Sequence, residues 1–135
     1  MNEAALDQLD AAPLKADLAR VEAIRTKAEF SRFMAGPQGD YGATLFGLGV
    51  IPDPNNPALN TLFVGTTGLG LPDRDYYLLD KHKAERDAYR AYVERTLAMV
   101  DTPNAAAGAD AILAFEDEIA KISWDKNDLG HIGKV

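Results

Sequence analysis

The side chains that could do chemistry are few, and their spacing rules out most of it. Histidine occurs only at His82 and His131. A catalytic zinc takes about three protein ligands and keeps a position open, and two of those ligands commonly come from H-E-x-x-H on one helix. Neither histidine lies in such a motif, and both stand in polar contexts where exposure is expected. Cysteine is absent, which removes thiolate metal sites, thiol nucleophiles and disulfides together. The carboxylates of Asp73/Asp75 and Glu116/Glu118 are spaced two apart, which on a helix points them away from each other, so neither pair is suited to share a proton. Ser31 and Ser123 sit in no nucleophile elbow. Gly65-Thr66-Thr67-Gly68-Leu69-Gly70 has a superficial likeness to a phosphate cradle, yet lacks both the Gly-Lys-Ser/Thr ending and the G-x-G-x-x-G spacing. No catalytic residue and no metal ligand is expected in this chain.

The 135 residues, 47% hydrophobic and 26% charged, suit one compact domain or part of a larger one. Lys and Arg number 14 against 21 Asp and Glu, a formal charge of −7 spread along the chain. Phosphate binding needs a concentrated basic face, so nucleic acid is not an expected partner. Met1 to Ala12 carries Glu3, Asp7 and Asp10 and does not read as a signal peptide, and no apolar run approaches the roughly 18 residues that span a bilayer.

Whatever these residues do depends on the elements that carry them. Gly68-Leu69-Gly70-Leu71-Pro72-Asp73-Arg74-Asp75-Tyr76-Tyr77-Leu78, near the middle of the chain, reads as a junction between an extended half and a helical half. Its glycines permit backbone conformations closed to other residues, Pro72 fixes φ, and Asp73 or Asp75 is placed to cap the first helical turn. Upstream, Pro13 suits a first helical position, and Leu14, Leu18, Val21 and Ile24 predict an amphipathic helix with one buried stripe. Thr26-Lys27-Ala28-Glu29 reads as a capping box opening a second helix with Phe30, Phe33 and Met34 on its apolar face, stopped by Gly36-Pro37. After a polar connector at Gln38 to Gly42, the runs Leu45 to Ile51 and Thr61 to Thr67 predict a β-hairpin with a long, stiff tip at Pro52 to Pro57. Phe46, Leu48 and Val50 share a face of one strand and Leu62 and Val64 a face of the other, while Gly47, Gly49 and Gly65 thin the opposite face. A two-stranded hairpin is marginal alone, so the chain reads as incomplete.

Downstream, Asp80 is the expected cap of a helix reaching Val100, with Tyr89, Tyr92, Val93, Thr96 and Val100 on its inner face. Asn104 is the expected cap of a second helix bearing Ile112, Phe115, Ile119 and Ile122, packed antiparallel on the first. Arg74 is expected to pin the junction to this pair through a bidentate bond to Asp75 or Glu116; a solvated arginine in a turn is the rival reading.

The stretch Gly68 to Leu78 resembles a signature in the non-catalytic, N-terminal helical part of the neprilysin-like zinc metallopeptidases, a group that includes endothelin-converting enzymes and bacterial oligopeptidases. Pro13-Leu14-Lys15 to Lys27-Ala28, Glu85-Arg86-Asp87-Ala88-Tyr89 and Phe115-Glu116-Asp117-Glu118-Ile119-Ala120 resemble the family's flanking helices, so the resemblance covers positions 13 to 124. It implies a mainly α fold with one β-hairpin (about 43–68) and a helical pair (about 80–123), forming part of a larger helical domain. Residues 1–12 are then a disordered or extended lead, and 125–135 an irregular tail that departs from the family's polar segment. By resemblance, the helical domain closes over a catalytic domain and encloses a cavity that admits only small peptides, and this stretch supplies wall and scaffold. Zinc, its histidine motif and the substrate-backbone motif would belong to the catalytic domain of the same parent polypeptide, which is the implied partner; none has a counterpart here, and the chain alone should not hydrolyse peptides. The parent would be exported to the bacterial periplasm or cell envelope, with its targeting segment absent from this chain. Two other readings stay open: an interaction module that self-associates through orphaned apolar faces, and a small-ligand-binding domain using the glycine-rich hairpin and junction.

Overall fold

The computed structural model describes residues 9–35, 45–66 and 68–129. Pro13 sits in a 3-10 turn, Ala12–Leu14, that runs into α1, Lys15–Glu22. The stripe on α1 is present but not buried: Leu14 and Val21 are half exposed, and no residue of the helix is buried. An amphipathic period shows that a helix has a side to cover, and here no described element covers it.

α2, Lys27–Ala35, opens on the expected capping box. The N–H of Thr26 donates to Glu29 Oε2 at 2.9 Å, and the N–H of Glu29 donates to Thr26 Oγ1 at 3.2 Å. The Arg25 N–H, 2.9 Å from the same Oε2, is the largest cause holding the Glu29 carboxyl below its ordinary value. Met34 is buried, Phe33 is half-buried and Phe30 is exposed. The expected stop at Gly36-Pro37 and the connector at 38–42 lie outside the described residues.

β1, Phe46–Asp53, and β2, Asn56–Thr66, pair antiparallel, with Phe46 opposite Thr66 and Pro52 opposite Asn60. The long tip is not found. The register shifts after Pro52, and Asp53 pairs with Asn56 across a tight turn at Pro54-Asn55. Asp53 Oδ1 accepts the N–H groups of Asn55 at 2.8 Å and Asn56 at 3.3 Å, and Asn56 Oδ1 accepts that of Ala58 at 3.4 Å. Side-chain acceptors thus engage the amide N–H groups at the turn. Leu48, Val50, Leu62 and Val64 share one exposed face. On the other face, the Phe63 ring lies over Gly65, where a Cβ would come within 2.9 Å of it, while the space at Gly49 is open.

α3, Asp75–Leu78, is a single turn. Asp80 does not cap the long helix; it opens a 3-10 turn, Asp80–His82, and His82 occupies the cap position of α4, Lys83–Met99, without a side-chain cap bond. The reason lies in Leu79, whose extended backbone (φ −104°, ψ 133°) breaks the helix one residue earlier. α5, Ala105–Ile122, follows a tight reversal in which Asp101 and Asn104 both adopt left-handed φ of 55° and the Thr102 N–H returns to the Leu97 carbonyl. Asn104 holds the expected cap position, but its side chain makes no cap bond there. Beyond Asp125, Lys126–Leu129 forms one further turn, and residues 130–135 lie outside the described residues.

The two long helices meet over a small core. Val93 of α4 and Ala109, Glu116 and Ala120 of α5 are buried, with Tyr77 of α3 between them. The expected inner faces are rotated: Tyr92, Phe115 and Ile122 are more than half exposed, and Thr96 is exposed. Small residues explain the rotation. A Cβ on Gly108 would come within 2.9 Å of Leu97 Cδ1, so the Leu97 side chain seats on this glycine beside the fully buried Ala109, and larger side chains stand on the flanks. Arg90 closes one flank through Asp110 on α5 and Glu94 on its own helix, and its hydrogen bond to Asp110 holds that carboxyl below its ordinary value. No described helix is long and apolar enough to cross a membrane.

Replacing Thr26 with Ala should cost about 1 kcal/mol of local helix stability. Amide exchange is the check: the Glu29 N–H should exchange faster while α4 and α5 are unchanged.

Candidate functional site

The junction from Gly68 to Leu78 is where hairpin, α3, α4 and α5 converge, and Leu71, Asp73, Arg74 and Tyr77 are held there by hydrogen bonds of definite geometry. Asp73 Oδ1 accepts the Asp75 N–H at 2.8 Å, so Asp73 supplies the turn that starts α3, while Arg74 holds the cap position itself. Arg74 Nη1 donates to the Ser123 carbonyl at 2.6 Å, at the C-terminal end of α5. The pinning arginine therefore binds a helix end and not a carboxylate; a cation there is favoured by the partial negative charge of the unsatisfied carbonyls. From α4, Arg86 Nη1 donates to the carbonyls of Tyr76 at 2.7 Å and Leu79 at 2.8 Å, closing the C-terminal end of α3 in the same way.

The centre of the junction is a carboxylate. Glu116 is 9% exposed, and its two oxygens accept the hydroxyls of Tyr77 at 2.6 Å and Tyr89 at 2.9 Å. The Tyr77 hydroxyl in turn accepts the Leu71 N–H at 2.9 Å. Burial first, and the bond to Glu116 second, push the Tyr89 phenol up to about 12 and the Tyr77 phenol further. Both phenols are thus neutral donors at ordinary pH, suited to holding a carboxylate and reluctant to give up their protons.

The glycines serve space and not unusual backbone angles: neither Gly68 nor Gly70 adopts a left-handed φ. A Cβ on Gly70 would lie 1.9 Å from Tyr89 Oη, and one on Gly68 would meet Leu45 Cδ2 at 2.9 Å and Ile119 Cδ1 at 3.3 Å. Gly70 lets Tyr89 reach Glu116, and Gly68 lets the hairpin base close on α5. Leu69 and Leu71 are half-buried and Pro72 is exposed.

His82 is only partly exposed. Its ring stacks on Tyr76 with centroids 4.1 Å apart, and Nδ1 lies 3.5 Å from Glu85 Oε1. His131 lies outside the described residues. Among the described residues no group of three or more His, Asp or Glu side chains gathers as a metal site, so these residues do not fit a zinc ion and no hydrolytic step is derived from them. Asp73 accepts from its own turn, Glu118 pairs with Lys121, and Glu116 is engaged by two tyrosines. Glu116, singled out from the sequence only as half of a carboxylate pair and as a candidate partner of Arg74, is the residue whose central place spacing missed. Its signal was its phase: it stands four after Ile112 and three before Ile119, inside the apolar stripe of α5.

Three outcomes follow from this geometry. Gly70→Ala should displace Tyr89 from Glu116 and cost on the order of 1.5–3 kcal/mol in denaturant unfolding, as for a lost bond to a charged group. Arg74→Ala should lower the melting temperature through loss of the bond to Ser123. A phenol whose folded pKa is raised stabilises the fold fully below its unfolded value, about 10, and loses that contribution as pH climbs toward the folded value. Stability should therefore fall as pH rises from about 10 through about 12, a loss that Tyr89→Phe should reduce in alkaline denaturation.

Residues 1–134 match the family model for the N-terminal part of peptidase family M13. The human endothelin-converting enzyme-like 1 is 30% identical over 108 residues, which cover 78% of this chain and 14% of that protein. Its mouse counterpart is 31% identical over 103 residues, covering 74% and 13%. The fold is similar to that of the Mycobacterium tuberculosis zinc metalloprotease Zmp1 in complex with an inhibitor, with a TM-score of 0.83 and 26% identity over 92% of this chain and 19% of that one. The open state of Zmp1 gives the same TM-score, with 25% identity over 94% of this chain and 20% of that one. The chain thus spans about a seventh of the length of the curated relatives it matches. With the model matched along nearly its whole length and the resemblance of Gly68 to Leu78 pointing the same way, the chain belongs to peptidase family M13, the neprilysin-like metallopeptidases, and represents their N-terminal region.

Proposed function

We propose that this chain is a wall and scaffold element of a zinc endopeptidase that hydrolyses small peptides, and that a catalytic domain in the same parent polypeptide supplies the metal and the chemistry. The observation that carries this reading is the fold match to Zmp1, which takes in nearly all of this chain and a fifth or less of a zinc metalloprotease. Positions 13 to 124 are the working part, and Gly68, Leu69, Gly70, Leu71, Pro72, Asp73, Arg74, Asp75, Tyr76 and Tyr77 act structurally, setting how hairpin and helices stand together. When bound in the catalytic domain, zinc would activate the water that attacks the peptide bond. The residues described here would shape and restrict access to it.

The exposed apolar surface agrees with a covered position in a larger molecule. Val50 at 71% and Leu62 at 65% are exposed neighbours on one hairpin face, and Ile122 on α5 is 83% exposed, apolar surface that a covering element would take out of water. The same surface favours self-association as a second reading, and sedimentation of the isolated chain across a wide concentration range separates the two: a monomer throughout removes the second.

The test of the first reading uses the parent polypeptide and a ladder of peptides of rising length. Arg74→Ala should raise the ratio of long- to short-peptide kcat/KM while zinc content and short-peptide turnover stay near wild type. An unchanged ratio, or loss of zinc with loss of all turnover, would count against a substrate-restricting wall.

A further inference from the structure

Glu116 is the one buried charged side chain among the described residues, and no chemistry in this chain uses it. Its oxygens are each engaged by a tyrosine from a different element, Tyr77 on α3 and Tyr89 on α4, while Glu116 itself belongs to α5. The reach extends one step further, since the Tyr77 hydroxyl that donates to Glu116 also accepts the Leu71 N–H of the junction backbone. Gly70, next to Leu71, is held against the Tyr89 hydroxyl so closely that no side chain fits between them. Glu116 therefore reaches the junction backbone at two neighbouring residues, through Tyr77 to Leu71 and through Tyr89 to Gly70. The hairpin meets the helices in a different way: at its base Gly68 lies between the apolar side chains of Leu45 and Ile119.

We propose that Tyr77, Tyr89 and Glu116 form a lock that makes the junction, α3 and the α4–α5 pair one cooperative body, on which the hairpin is a separately opening arm. Glu116 is a positioning residue in this arrangement. It acts on the junction backbone through Tyr77, without touching that backbone itself. Polar networks whose members are all satisfied behave as units, because removing one partner leaves the others buried and unpaired. The raised phenol pKa values fit the same picture, as both hydroxyls keep their protons while donating hydrogen bonds to one carboxylate. The inference concerns this chain alone and does not depend on the chamber-wall reading.

Native-state amide exchange of the 135-residue chain tests it. In the wild type, the amides of Leu71, Leu78 and Leu79 should share their opening free energy with the central amides of α4 and α5, and the hairpin amides should open separately. Glu116→Gln keeps size and shape but makes one oxygen a donor, so only one tyrosine retains its acceptor. The Leu71 amide should then exchange about tenfold to a hundredfold faster, the range expected for loss of a bond to a charged group. The central amides of α4 and α5 should change far less. Tyr89→Phe supplies a second, milder variant that leaves the Tyr77 bond in place and should give the same pattern at reduced size. Ultraviolet titration adds a readout that plain destabilisation would not move: the late-titrating phenols should shift toward about 10 in Glu116→Gln. The lock is overturned if Leu71 exchange is unchanged in both variants, if all amides accelerate equally, or if wild-type hairpin and junction amides open together.

Discussion

Glu116 is buried where three helices meet, and the cost of taking a carboxylate out of water shapes the surroundings that it requires. An ionised carboxyl without donors is expelled from an apolar site or gives up its charge. Two tyrosine hydroxyls prevent that here, but only because the chain brings them from α3 and α4 to opposite oxygens. Tyr89 can reach only if nothing stands at Gly70, and Tyr77 is set by a helical turn that would not persist in isolation. That turn is held from both sides by arginines, Arg74 reaching the end of α5 and Arg86 reaching the end of α3 itself. The geometry of the junction follows from satisfying one buried charge.

The remainder of the core is slight. Among the described residues, apart from Tyr77 and Glu116, the buried ones are Met34, Val93, Ala109 and Ala120, and alanine contributes little apolar area. The large apolar side chains lie outside, on α1, on the hairpin and on the outer flank of α5. Close packing through small residues and a polar knot gives shape at little cost in volume, and it leaves the hydrophobic surface free to be covered by something else.

The elements were legible in the sequence to the extent that a local signal defines them. The Thr26/Glu29 box, the hairpin and the paired long helices all came from spacing and capping chemistry, which act within a few residues. Burial was less legible. Periodicity marked an apolar side on α4 and α5, but an interface built from Gly108, Ala109 and Ala120 selects a different line from the one Phe115 and Ile122 trace. Glu116 was concealed by its charge although its phase placed it inside. The partner of Arg74 was concealed for another reason: the acceptor is a backbone carbonyl, and residue types say nothing about where unsatisfied carbonyls stand. The hairpin tip was misjudged because proline counts as a missing donor, whereas the Asp53 and Asn56 side chains supply acceptors that let the turn stay tight.

The density of constraint in Gly68 to Leu78 gives a physical reason why a stretch without catalytic groups can be so particular in its wording. Gly68 and Gly70 are limited by space, Asp73 by the Asp75 amide, Arg74 by a helix end, Tyr76 by the His82 ring and Tyr77 by a carboxylate and an amide at once. A substitution at any of these positions disturbs contacts with elements up to 49 residues away in sequence. Such a segment arrives at any larger assembly already ordered. Docking then costs little of the conformational entropy that a flexible segment of equal apolar area would lose, so the exposed surface can be used for fit instead of for folding the element itself.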